Sequence, residues 1–319
     1  MRVGFIGLGN VGGKLAGSLL RNGLDLTVHE LDPALAEPFL DKGADWAETP
    51  EALAAATDIV ITCLPSPAAC RTVVAGPGGL LGALDDTKVW IEMSTTDAGE
   101  MAELARTVRA TGAAVAECPV SGGCHRAATG NISIFAGTDR ATFERILPLL
   151  TVLGRRVLHT GEIGSASILK VMTNYLATAN LVSLCEAMAV MKAQGIDLGT
   201  TYEAIRISSG TSFVHETESQ LILNGSRQID FTMDLVLKDI GLFQSLADDA
   251  GIDLDLSPKL IDIFKDGQAR YGARAQSDDI VRRLEDASGL DLTAPGFPDA
   301  LVDEEPEERG AEVTIARAT

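Results

Sequence analysis

Short apolar runs alternate with Ala- and Leu-rich amphipathic stretches through the first half of the chain. Runs at 2–6, 25–29, 59–63, 89–93 and 114–118 have the length and bounding residues of buried strands, and 132–136 and 157–159 extend the series. Between them, 12–22, 33–42 and 140–152 carry helical spacing. Strands alternating with helices build βαβ units, so this half predicts an α/β domain with a doubly wound, mainly parallel sheet.

From about Gly164 the pattern changes. Positions 166–194 keep a helical period with no Pro, and Gly195 supplies a stop signal. Further helical patterns lie at 200–208, 231–250 and 258–271, with no strand pattern after 157–159. The second half therefore predicts an all-α domain entered through a long connecting helix. The expected division is 1–163 for the α/β domain, 164–288 for the helical domain (interdomain helix about 165–194) and 289–319 for an acidic extension. Beyond Ser288 the chain drifts to Asp, Glu, Pro and Gly, which predicts mobility around 303–309. The most apolar helical stretch, 177–190, is interrupted by Glu186 and reads as too short to span a bilayer.

Charge narrows the partners. With 26 Lys and Arg against 45 Asp and Glu, the net charge is -19. Such a surface lacks the clustered cations that neutralise phosphates, so neither nucleic acid nor an anionic membrane is expected as a partner. Trp46 and Trp90 stand alone and form no stacking platform. The five cysteines (Cys63, Cys70, Cys118, Cys124, Cys185) include no CxxC pair and have no His at metal-ligand spacing. They read as reduced, packed thiols, and no metal is expected. The N-terminus enters a strand pattern at once, without a signal-like apolar stretch, which completes the expectation of a cytoplasmic protein.

Candidate chemistry begins at Gly7-Leu8-Gly9-Asn10-Val11-Gly12, a GxGxxG run that directly follows a predicted strand and opens a predicted helix. In that position the first Gly permits the turn, the second lets backbone approach a pyrophosphate, and the third lets helix and strand pack closely. The anion then rests on N–H groups at the helix N-terminus. The second strand leads into Glu30, 18 residues after Gly12, where a ribose-binding carboxylate is expected. A carboxylate there accepts from the ribose 2′-hydroxyl and repels a 2′-phosphate. Leu31-Asp32-Pro33 adds no cation, so NAD is favoured over NADP. This half is accordingly expected to be a Rossmann-type dinucleotide-binding domain.

On the long helix, Lys170 and Asn174 are spaced i, i+4 and share a face. A helical lysine is by default a solvated residue. Here Ile168, Leu169, Val171 and Met172 flank it, and withdrawal from water would disfavour the ammonium and suit acid/base work.

Four motifs in order resemble the β-hydroxyacid dehydrogenase family, of the 3-hydroxyisobutyrate dehydrogenase and tartronate semialdehyde reductase type. They are the glycine fingerprint at 4–12; Pro119-Val120-Ser121-Gly122-Gly123, extending to Gly130; Gly161-x-x-Gly164 with Lys170 and Asn174; and the pair Lys238-Asp239. The resemblance implies that Lys170 is the general acid/base and that Asn174 holds it or the substrate hydroxyl. It implies that Ser121 with the backbone of Gly122 and Gly123 holds the substrate carboxylate. By the same resemblance Leu64, Pro65 and Thr95 line the cofactor groove, Lys238 sits by the nicotinamide, and the protein is a homodimer or homotetramer acting on a small hydroxy acid or its semialdehyde.

Two departures stand out. Val11 replaces a methionine common in the fingerprint, and Cys124-His125-Arg126 puts bulk where relatives often carry small residues. His125 and Arg126 either shape selectivity for a second polar or anionic group or point to solvent. Alternatives on the same scaffold are an imine reductase, a sugar-acid reductase and a catalytically silent NAD-binding module. Lys170 argues against the first, Lys170-Val171-Met172-Thr173-Asn174 lacks the Lys-x-x-His-Asn pattern of the sugar-phosphate enzymes, and the joint presence of Lys170, Asn174 and Ser121 argues against the third.

Overall fold

The computed structural model describes residues 1–315. Its strands are β1 (Arg2–Ile6), β2 (Asp25–His29), β3 (Asp45–Trp46), β4 (Ile59–Thr62), β5 (Val89–Glu92), β6 (Ala114–Glu117), β7 (Val120–Ser121), β8 (Ile132–Gly137), β9 (Gly154–Gly161) and β10 (Ala311–Glu312). They form one sheet in the order β10-β9-β8-β6-β5-β4-β1-β2-β3, with β7 paired to β8. Pairing is parallel except where β8 meets β6 and β7. Side-chain alternation explains why the central strands read as continuous apolar runs. Val3, Phe5, Ile59, Ile61, Val89, Ile91 and Ala116 enter one core layer, while Ile6, Val60, Trp90 and Val115 enter the layer on the opposite face. This is the expected α/β architecture, helices covering a largely parallel sheet.

The chain divides into two compact units. One comprises Met1–Lys170 together with the chain from Asp303 onward, and the other is Val171–Val302. The second unit is helical, built from the later part of the Ser165–Ala193 helix and from Leu198–Arg206, Phe213–Asn224, Met233–Asp249, Ser257–Tyr271 and Arg282–Ser288. Its core gathers Leu181, Leu184, Cys185 and Met188 from the long helix with Ile222, Val236, Ile240, Leu260 and Phe264. The long helix has 29 residues and contains an 18-residue window of mean hydropathy 1.3, which makes it long and apolar enough by composition to cross a membrane. The sequence expectation rested on the most apolar part of that helix alone, and 28% of the window is buried in the structure.

By packing, the two units divide at Lys170/Val171, since the first turn of the long helix is tied to the sheet unit by bonds to Glu117. The acidic tail is not a separate extension. Residues 289–302 pack on the helical unit, where Leu292 is fully buried and Ala294 N–H donates to Leu223 O at 2.8 Å. Residues 303–313 form a strap along the sheet unit, tied down where composition suggests a loose segment. Asp303 accepts from Thr129 and from Asn131 Nδ2 (2.8 Å); Glu307 meets Arg21 at 3.3 Å; Glu308 meets Arg155 at 2.6 Å. Gly310 lies so near Gly154 that a Cβ would stand 1.9 Å from its carbonyl oxygen, and β10 then pairs with the outer strand β9. The acidic residues of the strap thus find polar or basic partners one by one, and the strap covers an otherwise open sheet edge. Truncation after Val302 is expected to lower the melting temperature by about 5–10 °C, read by differential scanning calorimetry; an unchanged transition would show that the strap contributes nothing.

In the helical unit Glu218 and Asp278 face one another. Burial raises both carboxyls, Glu218 to about 7, and among the described residues no donor apart from the partner carboxyl reaches the Asp278 oxygens. A folded carboxyl raised from its ordinary 4.5 to about 7 holds a proton the unfolded chain has lost, so stability falls as pH rises through that window. Asp278→Asn is therefore expected to raise the melting temperature above pH 7 by about 2–4 °C, a gain that vanishes near pH 5. A pH-independent effect would contradict the shared-proton reading.

Candidate active site

The candidate cofactor residues sit on loops at the C-terminal ends of parallel strands. The glycine turn follows β1, Glu30 follows β2, Leu64 and Pro65 follow β4, and Thr95 follows β5. The sheet order reverses between β4 and β1, and crevices at such a reversal are where open α/β sheets bind ligands. The three glycines are required for different reasons. Gly7 has φ +96°, and a Cβ there would lie 2.3 Å from the Cys63 carbonyl oxygen; one on Gly12 would lie 2.0 Å from the Gly7 carbonyl oxygen. Around Gly9 a Cβ would meet nothing within 4 Å. The turn is thus closed on the protein side and open at Gly9, the shape a pyrophosphate needs. Asn10 and Val11 begin the helix Asn10–Arg21, whose N-cap Gly9 makes no side-chain cap bond.

Glu30 is tied to this turn. Its Oε2 accepts from Leu8 N–H at 2.6 Å and its Oε1 from Leu31 N–H at 2.7 Å. Each oxygen keeps a lone pair for a ribose hydroxyl. On the other side of the reversal, Leu64 N–H donates to Ser94 Oγ at 2.7 Å, which joins the loop of Leu64 and Pro65 to the loop of Thr95. Beneath them lies Glu92, fully buried, accepting from Thr62 Oγ1 (2.6 Å), Cys70 Sγ (2.8 Å) and Ser94 N–H (2.7 Å). Burial raises this carboxyl and its donors partly counter the rise. Nothing in the local sequence pattern marked Glu92 as the post on which two loops rest.

The Pro119-to-Gly123 segment forms β7 and turns at Gly122 (φ +131°) and Gly123 (φ +83°), conformations that L side chains rarely adopt. Just beyond, Arg126 meets Glu305 of the strap at 3.4 Å, so its charge is countered from within the chain. Burial holds the His125 imidazole below its usual range, with the Arg126 charge acting in the same direction. Cys63 and Cys118 stay thiols: burial pushes Cys63 up to about 12 and Cys118 well above its ordinary value. His29, His159 and His215 each bond a backbone carbonyl, and no cluster of metal-ligating side chains occurs among the described residues.

Lys170 closes the sheet unit's share of the long helix and is 8% exposed. The helix runs unbroken past it, leaving Asn174 one turn on, within the helical unit. There Asn174 Nδ2 donates to Asp239 Oδ2, and Lys238 Nζ lies 2.8 Å from Asp239 Oδ1. Asp239 is 2% exposed and so fixes the amide of Asn174. Lys238 is marked by its motif, whereas the hold of Asp239 on Asn174 comes from the fold.

A dinucleotide-shaped glycine turn at the sheet reversal places the sheet unit among the nucleotide-binding α/β domains. Residues 2–161 match the family described as the NAD binding domain of 6-phosphogluconate dehydrogenase, and residues 164–284 match the NAD-binding domain of NADP-dependent 3-hydroxyisobutyrate dehydrogenase. The chain is 31% identical to 2-(hydroxymethyl)glutarate dehydrogenase of Eubacterium barkeri, over 92% of this chain and 98% of that protein. Two solved structures share its fold at 25% identity. One is a 3-hydroxyisobutyrate dehydrogenase from Salmonella typhimurium (TM-score 0.81, covering 89% of this chain and 99% of that one). The other is Psf3 in complex with NADP+ and 2-OPP (TM-score 0.82, covering 88% and 99%). The chain belongs to the β-hydroxyacid dehydrogenase family: it is an NAD(P)-dependent oxidoreductase that acts on a CH–OH group of a small molecule.

Proposed function

We propose that the protein interconverts a small 3-hydroxy acid and its semialdehyde, prefers NAD, and uses Lys170 as the general acid/base. The observation that carries this reading is the burial of Lys170 one helical turn before an asparagine whose amide is itself held by a buried carboxylate. A nicotinamide cofactor held by the Gly7–Gly12 turn and Glu30 would supply the hydride acceptor for the hydroxyl-bearing carbon. Lys170 Nζ takes the hydroxyl proton as that C–O bond becomes C=O, and in reduction it returns the proton to the aldehyde oxygen. Asn174, oriented by Asp239, holds the hydroxyl or Lys170 in line. Ser121 and the N–H groups of Gly122 and Gly123 take the carboxylate, which only a stretch without side chains can approach so closely.

Glu30 supports the NAD preference, since its carboxylate already lies on the glycine turn and a 2′-phosphate brought there would meet like charge. We assign Lys238 to the nicotinamide end. The similarity to 2-(hydroxymethyl)glutarate and 3-hydroxyisobutyrate dehydrogenases supports a substrate that joins a primary alcohol to at least one carboxylate, the glutarate carrying a second. Five cysteines kept as reduced thiols support a cytoplasmic location. Exposed Ile168, Leu176 and Val190 on the long helix support a homodimer or homotetramer, which a monomer mass by light scattering would refute. The function itself is tested by NADH formation with a panel of small 3-hydroxy acids.

A further inference from the structure

The start of the long helix is held by a residue with no assigned role. Glu117 ends β6 and is fully buried. Its Oε1 accepts from Gly164 N–H at 2.7 Å, Ala166 N–H at 2.8 Å and Ser167 N–H at 3.4 Å, and its Oε2 accepts from Ser167 Oγ at 2.5 Å. Three of these partners are backbone N–H groups, which can only donate, so the set is one made for a carboxylate. Helices leave their first N–H groups without intrahelical partners and carry positive potential at that end; one buried carboxylate answers both. The neighbouring strand makes room for it. Gly137 of β8 pairs with Glu117, and a Cβ on Gly137 would stand 2.5 Å from Glu117 Oε1.

Chain position gives this anchor its meaning. Ala166 and Ser167 lie four and three residues before Lys170, one turn away on its own face of the helix. In the other direction Ser121 lies four residues after Glu117, joined to it only through Cys118, Pro119 and Val120. One carboxylate therefore grips the turn that carries the proposed acid/base at the point where the chain leaves for the proposed carboxylate-binding loop.

We propose that Glu117 is a positioning residue for the hydroxy-acid reaction, setting the Lys170 turn against the Ser121–Gly123 loop. The inference rests on the reading of Lys170 as the acid/base. Misplacement of a catalytic group by about 1 Å costs on the order of a hundredfold in rate. Replacing the carboxylate by an amide weakens three N–H bonds and turns one of its two acceptors into a donor.

The test compares Glu117→Gln, Glu117→Asp and the milder Ser167→Ala with wild type and Lys170→Ala, each normalised to the fraction that binds NADH. Glu117→Gln is expected to lose about 10–100-fold in kcat per cofactor-binding site, with the NADH Kd within twofold. Its solvent deuterium isotope effect on kcat should rise as proton transfer becomes harder. Glu117→Asp is expected to recover part of the loss and Ser167→Ala to lose a few-fold. A purely structural residue would lower the folded fraction and leave the normalised kcat and isotope effect at wild-type values; that result overturns the proposal. If Glu117→Gln does not fold, Ser167→Ala decides alone, a wild-type kcat and isotope effect counting against the proposal. If Lys170→Ala keeps full activity, the acid/base reading has failed, an outcome distinct from Glu117 variants that are silent beside an inactive Lys170→Ala.

Discussion

Lys170→Ala is expected to lower kcat about a thousandfold, within the range attributed to a general acid/base, while NADH still binds. Burial makes the prediction sharp. Alanine leaves a small space where a side chain only 8% exposed had stood, and nothing else on that turn can take a proton: Ile168, Leu169, Val171 and Met172 have no such group. A thousandfold corresponds to about 4 kcal/mol of transition-state stabilisation. The glycine turn and Glu30 lie on other elements of the sheet unit, so cofactor affinity should be untouched. Fluorescence titration with NADH and steady-state turnover separate the two. A variant that retained a tenth of wild-type kcat would remove Lys170 from the proton-transfer step.

Glu30→Gln has the second large effect, and it acts twice. The carboxylate accepts from Leu8 N–H within the glycine turn, and the same group is placed to accept from ribose. Hydrogen bonds to an ionised group contribute about 1.5–3 kcal/mol each. Weakening them is expected to raise the Kd for NAD about 10–100-fold, since about 1.4 kcal/mol is a factor of ten. The Kd for NADP should change less, because the lost repulsion of the 2′-phosphate offsets part of the loss. The NAD/NADP selectivity ratio should therefore fall, measured as kcat/KM for each cofactor. An unchanged ratio would mean that Glu30 caps the turn and takes no part in choosing the cofactor.

The sequence discloses what depends on local pattern and conceals what depends on distant partners. The central strands were legible because burial on both faces leaves unbroken apolar runs. The two-residue strands Asp45–Trp46, Val120–Ser121 and Ala311–Glu312 were not, since their pairing comes from remote neighbours. Positions 33–42 read as one helix but form a Pro33–Leu35 turn and a short Glu37–Leu40 helix; Pro38 has no N–H to give to an earlier carbonyl. The Phe213–Asn224 helix escaped notice because polar His215 and Ser219 are buried beside Val214, Leu221 and Ile222, which blurs its apolar stripe. The same division holds at the site. The glycine run, Glu30 and the Lys170–Asn174 spacing are local signals. Glu117 is not: its partners lie 47 to 50 residues away. Asp239 meets Asn174 across 65 residues, and the strap reaches Asn131 across 172. Carboxylates whose work is to hold other elements announce nothing in their own neighbourhood.

The most direct test of the central claim is NADH formation by the wild-type enzyme with a panel of small 3-hydroxy acids, run beside matched 2-hydroxy acids and the same alcohols lacking the carboxylate. The account predicts turnover of at least one 3-hydroxy acid, with NAD preferred over NADP, and little or none for its 2-hydroxy and carboxylate-free counterparts. Turnover confined to 2-hydroxy acids or plain alcohols, or none across the panel, would contradict it.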